Sequence, residues 1–250
     1  MLHLPQTLCL ANLAEHMIHI PGGTFMMGGE NMQKDAQPEH LVSLDGFYLC
    51  RFPVSQKLWE EVMGRKPAQL RFQDSTRPVE RVSWNAIEQE FLPALREKTG
   101  VEDYCLPTEA QWEYAARGGE KGALIKQDRF EFSGSHALRE IGWYKLNSLG
   151  ETQSLGLKRP NTLGLYDMSG NIREWCQDWY GEKYYQTLKE HHGARVVQNP
   201  SGPKEGGNRV VRGGAWYVQP AYASVALRFS FYPHGEGDLV GFRLCRNASP

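Results

Sequence analysis

The segment from residue 165 to residue 175 carries residue types that could bind a metal ion. Its two carboxylates, Asp167 and Glu174, flank backbone carbonyls that a tight turn could point inward. Hard oxygen ligands at this density suit calcium, so the segment predicts a calcium site. In the alternative interpretation the carboxylates cap a turn and pair with Arg173 or Arg212, and no metal is involved.

The cysteines and histidines predict no further metal site. Five cysteines are scattered singly, without a CxxC pair: Cys9, Cys50, Cys105, Cys176 and Cys245. Neither a zinc finger nor a disulfide framework has this spacing. The close histidine pair, His191 and His192, lies in a polar stretch, where solvated side chains are the simpler interpretation. The cysteine usage favours reduced thiols.

Glu109 and Glu113 are four residues apart, as two carboxylates on one helix face would be. Arg117 follows at the same spacing, so a salt bridge between Glu113 and Arg117 explains the pattern without acid/base catalysis. The glycine pairs at 22–23 and 213–214 lack the strand-to-helix context of a phosphate-binding loop. We therefore predict no nucleotide binding.

Three stretches have the apolar spacing of helices: residues 55–63, residues 83–98 and a third that begins at Thr108. Pro93 predicts a kink or a broken turn in the second stretch. Thr108 and Gln111 have the S/T-x-x-E/Q form of a capping box, which predicts where the third helix starts.

The strands are predicted to be short, between frequent glycine and proline turns. They cover residues 40–44, 47–50, 210–212 and 241–244. Little periodicity is visible in residues 128–158 and 180–208, where we expect irregular chain. Together the elements predict an α+β fold.

The charge balance and hydropathy exclude several classes of protein. Among 250 residues, 28 Lys and Arg face 29 Asp and Glu. This balance creates no field that would attract nucleic acid or an anionic membrane surface. No apolar run reaches the roughly eighteen residues of a membrane-spanning helix, and no charged start marks a signal peptide. We expect the chain as written to be cytoplasmic, with export by a removed leader or display through a partner left open.

Six motifs occur in order along the chain. They are residues 20–28 (IPGGTFMMG), 77–84 (RPVERVSW), 106–119 (LPTEAQWEYAARGG), 161–175 (NTLGLYDMSGNIREW), 209–216 (RVVRGGAW) and 241–244 (GFRL). They resemble the formylglycine-generating enzyme, or sulfatase-modifying factor, family. The resemblance implies that family's type of C-type lectin fold, with two main helices, small antiparallel sheets and much irregular chain. We expect an N-terminal extension at residues 1–16 and one domain over residues 17–250.

The same resemblance implies a structural calcium ion in the segment described first. The matching residues are Asp167, Gly170, Ile172 and Glu174, two of them binding through side chains and two through main-chain oxygens. Calcium is therefore the cofactor that we expect.

The oxidases of the family are similar in having two cysteine thiolates after the Gly-Gly turn, where they hold copper(I). This ion needs soft sulfur ligands. The matching positions here are Val218 and Ala223, which have no donor atom. We expect no copper and no catalytic residue. The alternative is an enzyme or accessory factor that modifies a protein or peptide without the cysteine pair.

Residues 216–243 resemble, without a gap, the template of diversity-generating retroelement variable proteins, in which mutagenesis of AAC-type codons diversifies a ligand-binding surface. We call residues 216–240 the variable segment. Expected scaffold residues are Trp216, Ala223, Val225, Arg228, Pro233, Val240, Gly241, Phe242 and Arg243. Expected ligand-binding residues are Tyr217, Val218, Gln219, Ala221, Tyr222, Leu227, Phe229, Ser230, Phe231, Tyr232, His234, Gly235, Gly237, Asp238 and Leu239.

The genetic code offers a check on this resemblance. Randomised AAC codons become NNC codons, which cannot encode Lys, Glu, Met, Trp or Gln, and Gln219 alone among the expected binding residues breaks that rule. Aromatic residues with small neighbours are typical of protein-binding surfaces. We predict a non-catalytic protein that binds a protein or other macromolecule here. In the alternative, Phe229 and Phe231 alternate into the core of a strand.

Overall fold

Short strands and short helices make up the computed structural model, which describes residues 7–30, 32–120 and 129–247. The strands are β1 (Met17–Ile20), β2 (Gly23–Met27), β3 (His40–Leu44), β4 (Phe47–Cys50), β5 (Tyr104–Cys105), β6 (Arg173–Trp179), β7 (Val197–Gln198), β8 (Arg209–Arg212), β9 (Phe229–Phe231), β10 (Val240–Phe242) and β11 (Cys245–Asn247). The helices are α1 (Gln56–Met63), α2 (Trp84–Ala86, Ile87–Phe91 and Leu92–Thr99), α3 (Glu109–Ala116), α4 (Leu138–Ile141) and α5 (Tyr184–His192). The predicted α+β class is confirmed.

The described strands form three small sheets, in the orders β1-β4-β11-β5, β10-β6-β8-β9 and β2-β3-β7. Most neighbours are antiparallel, as expected, but β10 pairs with β6 and β3 with β7 in parallel. In the second sheet Trp175 of β6 is opposite Val211 of β8, which is opposite Phe229 of β9. On the other side of β6, Val240 of β10 lies opposite Arg173, so the end of the variable segment lies beside β6.

Two predicted helices begin where their capping residues indicate. The Ser55 hydroxyl accepts a hydrogen bond from the Leu58 amide, and α1 ends at Gly64 with φ +66°. At α3 the Thr108 hydroxyl accepts from the Gln111 amide, and the Gln111 side chain accepts from the Thr108 amide. Each cap satisfies backbone amides that would otherwise lack partners.

The second helix contains a wider turn instead of a simple kink. Residues Ile87–Phe91 form a π-helical turn immediately before the last part of α2, whose second residue is Pro93. Proline has no N–H to donate to the carbonyl four residues earlier, so the α-helical bonding pattern is interrupted there. The predicted irregularity is confirmed, and its form is a π turn.

Helix α5 contradicts the expectation of irregular chain over residues 180–208. It buries Tyr185 and Leu188 and exposes most of its other side chains. Two buried residues in nine give too weak an apolar pattern for a periodicity argument to find. Residues 129–158, in contrast, contain only the short helix α4.

The core forms two large clusters of apolar side chains. In the first, Trp59 stacks on Phe91 with ring centroids 5.1 Å apart. The second includes Trp112, a buried residue of α3. Leu8 and Leu13 are each 1% exposed within the first cluster, so part of the expected N-terminal extension packs against the rest; residues 1–6 lie outside the described chain. In that chain no helix is both long and apolar enough to cross a membrane.

Candidate functional site

The variable segment is tied together at its two ends. It follows β8 through Gly213 and Gly214, whose φ angles are +99° and +75°. A Cβ atom at Gly214 would lie 2.7 Å from the Cα of Ala223, so the close turn requires glycine. At the far end, the Trp216 indole N–H donates to the main-chain oxygen of Asp238 at 2.9 Å.

A buried ion network anchors the middle of the segment. Arg228 donates to both oxygens of Glu109 at 2.7 and 2.8 Å. Arg212 of β8 donates to Glu109 at 2.8 Å, to Glu113, and to the carbonyl of Val225 at 2.7 Å. All four charged side chains are fully buried. Because each charge has a partner, burial is tolerated and α3 is fixed against the segment.

The predicted salt bridge between Glu113 and Arg117 is present, at 2.7 Å. The Glu113 carboxylate also accepts from the Gly28 amide at 2.9 Å. Burial opposes its ionisation, but Arg117 and Arg212 together lower the pKa of Glu113. Glu109 and Glu113 are therefore structural counter-ions, and the sequence pattern had identified only one of their arginine partners.

Exposure in the variable segment follows the division between scaffold and binding positions. Eight of the nine expected scaffold residues are buried, and Pro233 is half-buried. Six expected binding residues are exposed: Tyr217, Gln219, Ala221, Tyr222, Tyr232 and His234. Seven are half-buried: Phe229, Ser230, Phe231, Gly235, Gly237, Asp238 and Leu239. Val218 and Leu227 are buried, at 8% and 5% exposure, so they support this surface from below and a ligand would not contact them.

Strand β9 combines the two interpretations considered for its phenylalanines. Phe229 and Phe231 pack against the first core cluster yet stay half-buried. The ring of Phe231 stacks on Trp175 with centroids 5.8 Å apart. Tyr232, just beyond the strand, is 58% exposed. Each phenylalanine therefore packs against the core on one side and is partly exposed on the other.

A small cavity of about 140 Å³ opens beside β9, and we call it the β9 cavity. Phe229, Phe231 and Leu239 contribute apolar walls, and Arg173 lines it from β6. The Arg173 guanidinium carbon lies 4.0 Å from the centroid of the Phe229 ring. Burial lowers the pKa of Arg173 to about 10. Sequence reasoning missed this role because it considered Arg173 only as a partner for Glu174.

Protein donors occupy the Glu174 carboxylate of the expected calcium site. Arg243 donates to it at 2.8 and 3.0 Å, and the Trp112 indole N–H at 2.7 Å. Its ion-pair partner is thus Arg243, and neither Arg173 nor Arg212 as the alternative interpretation suggested. Successive residues of a strand point to opposite faces, which separates Arg173 from Glu174.

Asp167 and Gly170 of the expected calcium set are also engaged within the protein. Asp167 is buried, accepts from a backbone amide and from Asn171, and burial raises its pKa to about 6. The Gly170 carbonyl accepts from the Ile172 amide at 2.8 Å. A calcium ion would have to displace the guanidinium that holds Glu174, so these residues do not fit the ion as arranged. Within the described ranges, no group of three or more His, Cys, Asp and Glu could hold a metal.

The positions that match the copper cysteines are Val218 and Ala223. Both are buried and carry only hydrocarbon side chains. Cys50, Cys176 and Cys245 lie in the core, where burial raises the pKa of each thiol. None of these thiols lies in the variable segment, and the absence of copper stays a prediction.

A second cavity, of about 700 Å³, lies at the end of α3 and is lined by Tyr114, Arg117, His136 and Leu163 among others. Arg117 is already held by Glu113. None of the described residues that line this cavity belongs to the variable segment.

Comparison with known proteins assigns the family. The family described as sulfatase-modifying factor enzyme 1-like domain matches residues 5–248, and the chain belongs to it. Formylglycine-generating enzyme of Streptomyces coelicolor is 32% identical over 92% of this chain and 89% of its own length. Chaperone protein LppX of Paenibacillus barcinonensis is 28% identical over 94% of this chain and 90% of its own length.

The chain spans 38–39% of the length of the chlamydial serine/threonine-protein kinases named Pkn1 that it also matches. Among solved structures, Treponema denticola variable protein 1 superposes with a TM-score of 0.78 at 28% identity, over 93% of this chain and 95% of that one. The expected family and the expected resemblance to variable proteins are both confirmed.

Calcium should leave the thermal stability unchanged. Ligand binding raises Tm only when the folded state offers a site, and here Arg243 already neutralises Glu174. We expect Tm with 1 mM calcium and with excess EDTA to agree within about 1 °C in differential scanning calorimetry. A calcium-dependent rise in Tm that Asp167→Asn removes would restore the site implied by the resemblance.

Asp178 should make stability depend on pH. It accepts the Glu109 amide at 2.8 Å, and burial together with the Glu109 charge raises its pKa to about 8. The contribution of Asp178 to the free energy of unfolding is therefore complete below about pH 4, the pKa of an aspartate in the unfolded chain. It is lost as the pH rises through about 8. Relative to Asp178→Asn, the wild type should lose stability between pH 5 and pH 9 in urea unfolding. The exposed-site control Glu97→Gln should follow the wild type, and identical profiles for all three proteins would contradict the prediction.

Proposed function

We propose that this protein is a non-catalytic ligand-binding protein. The variable segment displays a hypervariable surface on a C-type lectin scaffold of the formylglycine-generating-enzyme type, and a retroelement diversifies it. The ligand is a protein or another macromolecule.

The observation that carries this proposal is the match between template position and burial. Positions expected to be fixed are buried in all but one case, whereas thirteen of the fifteen positions expected to vary reach the surface. A segment can vary freely only where its side chains do not fill the core, because volume changes in a packed core cost about 1–5 kcal/mol. This partition supports diversification at the surface.

The chemistry of the surface also supports a macromolecular ligand. Tyr217, Tyr222 and Tyr232 are 55%, 46% and 58% exposed, so they offer large amphipathic contact areas. Tyrosine loses little side-chain entropy on binding, which is why it is frequent in binding surfaces. The β9 cavity, at about 140 Å³, is smaller than the pockets that enclose small-molecule ligands.

The DNA that flanks the gene tests the proposal directly. We expect a reverse-transcriptase gene and a near-copy of codons 213–244 that carries AAC at the positions of the fifteen expected binding residues. Sequencing of several independent isolates should then show differences confined to those codons. Absence of both elements would overturn diversification and favour an enzyme or accessory factor.

Simultaneous replacement of Tyr217, Tyr222 and Tyr232 by alanine should leave Tm within about 2 °C of wild type, because exposed side chains contribute little to stability. The matched comparison is Phe242→Ala at an expected scaffold position, which removes a fully buried ring packed on Trp59 and Phe91 and should lower stability by about 3–5 kcal/mol. Both are measured by urea unfolding. A large loss in the triple variant would show that the tyrosines belong to the core and not to a display surface.

A further inference from the structure

Arg173 is half-buried and, unlike the three fully buried arginines of the fold, has no counter-ion among the described residues. Arg212, Arg228 and Arg243 each contact a buried carboxylate at 2.8 Å or less. Among the residues that the structure describes, Arg173 has neither an ion pair nor a side-chain hydrogen bond, and its Nε is buried without a partner. Withdrawing part of a guanidinium from water without a hydrogen-bond partner costs free energy, which a bound anion would offset.

The apolar walls of the β9 cavity strengthen the interaction between the Arg173 charge and an anion bound there. Phe229 lies under the guanidinium at 4.0 Å, and Phe231 and Leu239 add apolar surface. Side chains of this kind exclude water, so a charge–charge interaction inside the cavity is screened less than one at an open surface.

The carboxylate at the rim of the cavity does not neutralise Arg173. Asp238 pairs with Arg71 and lies 3.8 Å from Arg81. Arg81 in turn contacts the buried Glu80 at 3.6 Å. Arg173 and Asp238 are the charged residues that line the cavity, and Asp238 already has arginine partners outside the lining, so the charge of Arg173 stays unmatched.

We propose that the β9 cavity binds one carboxylate of a peptide ligand, with the Arg173 guanidinium as its counter-ion. This inference rests on the proposed function and names the chemistry of the ligand. The carboxylate can come from an Asp or Glu side chain or from a C-terminus. A planar carboxylate matches the paired N–H groups of one guanidinium.

A phosphate group fits the cavity less well. It carries nearly two negative charges and three acceptor oxygens, which one arginine among apolar walls cannot satisfy.

Arg173 lies on β6, outside the variable segment. Diversification would change the walls at Phe229, Phe231 and Leu239 but leave the guanidinium in place. All versions of this protein would then share a preference for an anionic group, while the residues around that group differ in the ligand selected.

The test uses two isosteric probes, N-acetyl-glutamate amide and N-acetyl-glutamine amide. Each is titrated into the labelled full chain, and the Arg173 Nε–H and Phe229 ring signals are followed by NMR. We expect the carboxylate probe to bind about tenfold more tightly, because a charge-assisted hydrogen bond exceeds a neutral one by that order. N-acetyl-alanine with a free carboxylate, compared with its amide, tests a C-terminal source, and inorganic phosphate tests the competing anion.

Arg173→Met should abolish the difference in affinity between the glutamate and glutamine probes. Arg173→Gln, whose side chain has a different shape, should abolish it as well. The control Arg195→Met removes the same charge from an exposed residue beside β7 and should retain the full difference. Each variant is first compared with wild type by Tm. Equal affinity of the two probes for wild type, an undiminished preference in both Arg173 variants, or tighter binding of phosphate would each overturn the inference.

Failure of this inference can be told apart from failure of the proposed function. A retroelement beside the gene, together with the stable tyrosine variant, would leave the display role standing even if Arg173 bound no carboxylate. Conversely, carboxylate binding without a retroelement would establish the anion site and reject diversification.

Discussion

Two buried carboxylates on one short helix hold the irregular parts of this fold in place. Glu109 and Glu113 receive guanidinium groups from Arg212 and Arg228, which lie more than ninety residues further along the chain. A protein with short strands has few ladder hydrogen bonds to position its loops. Fully paired buried charges do so instead, because leaving any one of them unpaired costs about 3–5 kcal/mol. The variable segment is attached to this network at Arg228.

Much of the fold could be predicted from the sequence because the relevant signals are local. The capping box at Thr108 and the turn glycine at position 64 indicate helix ends, since a few neighbouring residues determine each end. Helix α5 was missed because few of its residues are buried. The motifs along the chain gave the family, although no propensity argument would have given the sheet orders.

The candidate site was predictable only in part, because its chemistry depends on distant pairings. Sequence reasoning gave Glu174 two possible arginine partners, and the structure pairs it with Arg243, 69 residues away. No local pattern shows that the distant Arg243 pairs with Glu174 in place of the adjacent Arg173 or of Arg212. The same applies to Arg173. Whether it has a counter-ion depends on where every carboxylate of the chain lies in the fold, and the sequence does not give those positions. Val218 and Leu227 illustrate a further limit, since a template assigns positions but not the direction of each side chain.

The hydrogen bond between Trp216 and Asp238 makes the closure of the loop independent of the side chains that the loop carries. Its acceptor is a main-chain oxygen, which every amino acid supplies equally, and its donor is a residue outside the expected variable set. Any side chain at position 238 therefore leaves the closure intact. The closure of the loop ends, which costs conformational entropy, is therefore made by atoms outside the expected variable side chains. Under the proposed diversification, different sequences between these ends would share the same backbone geometry.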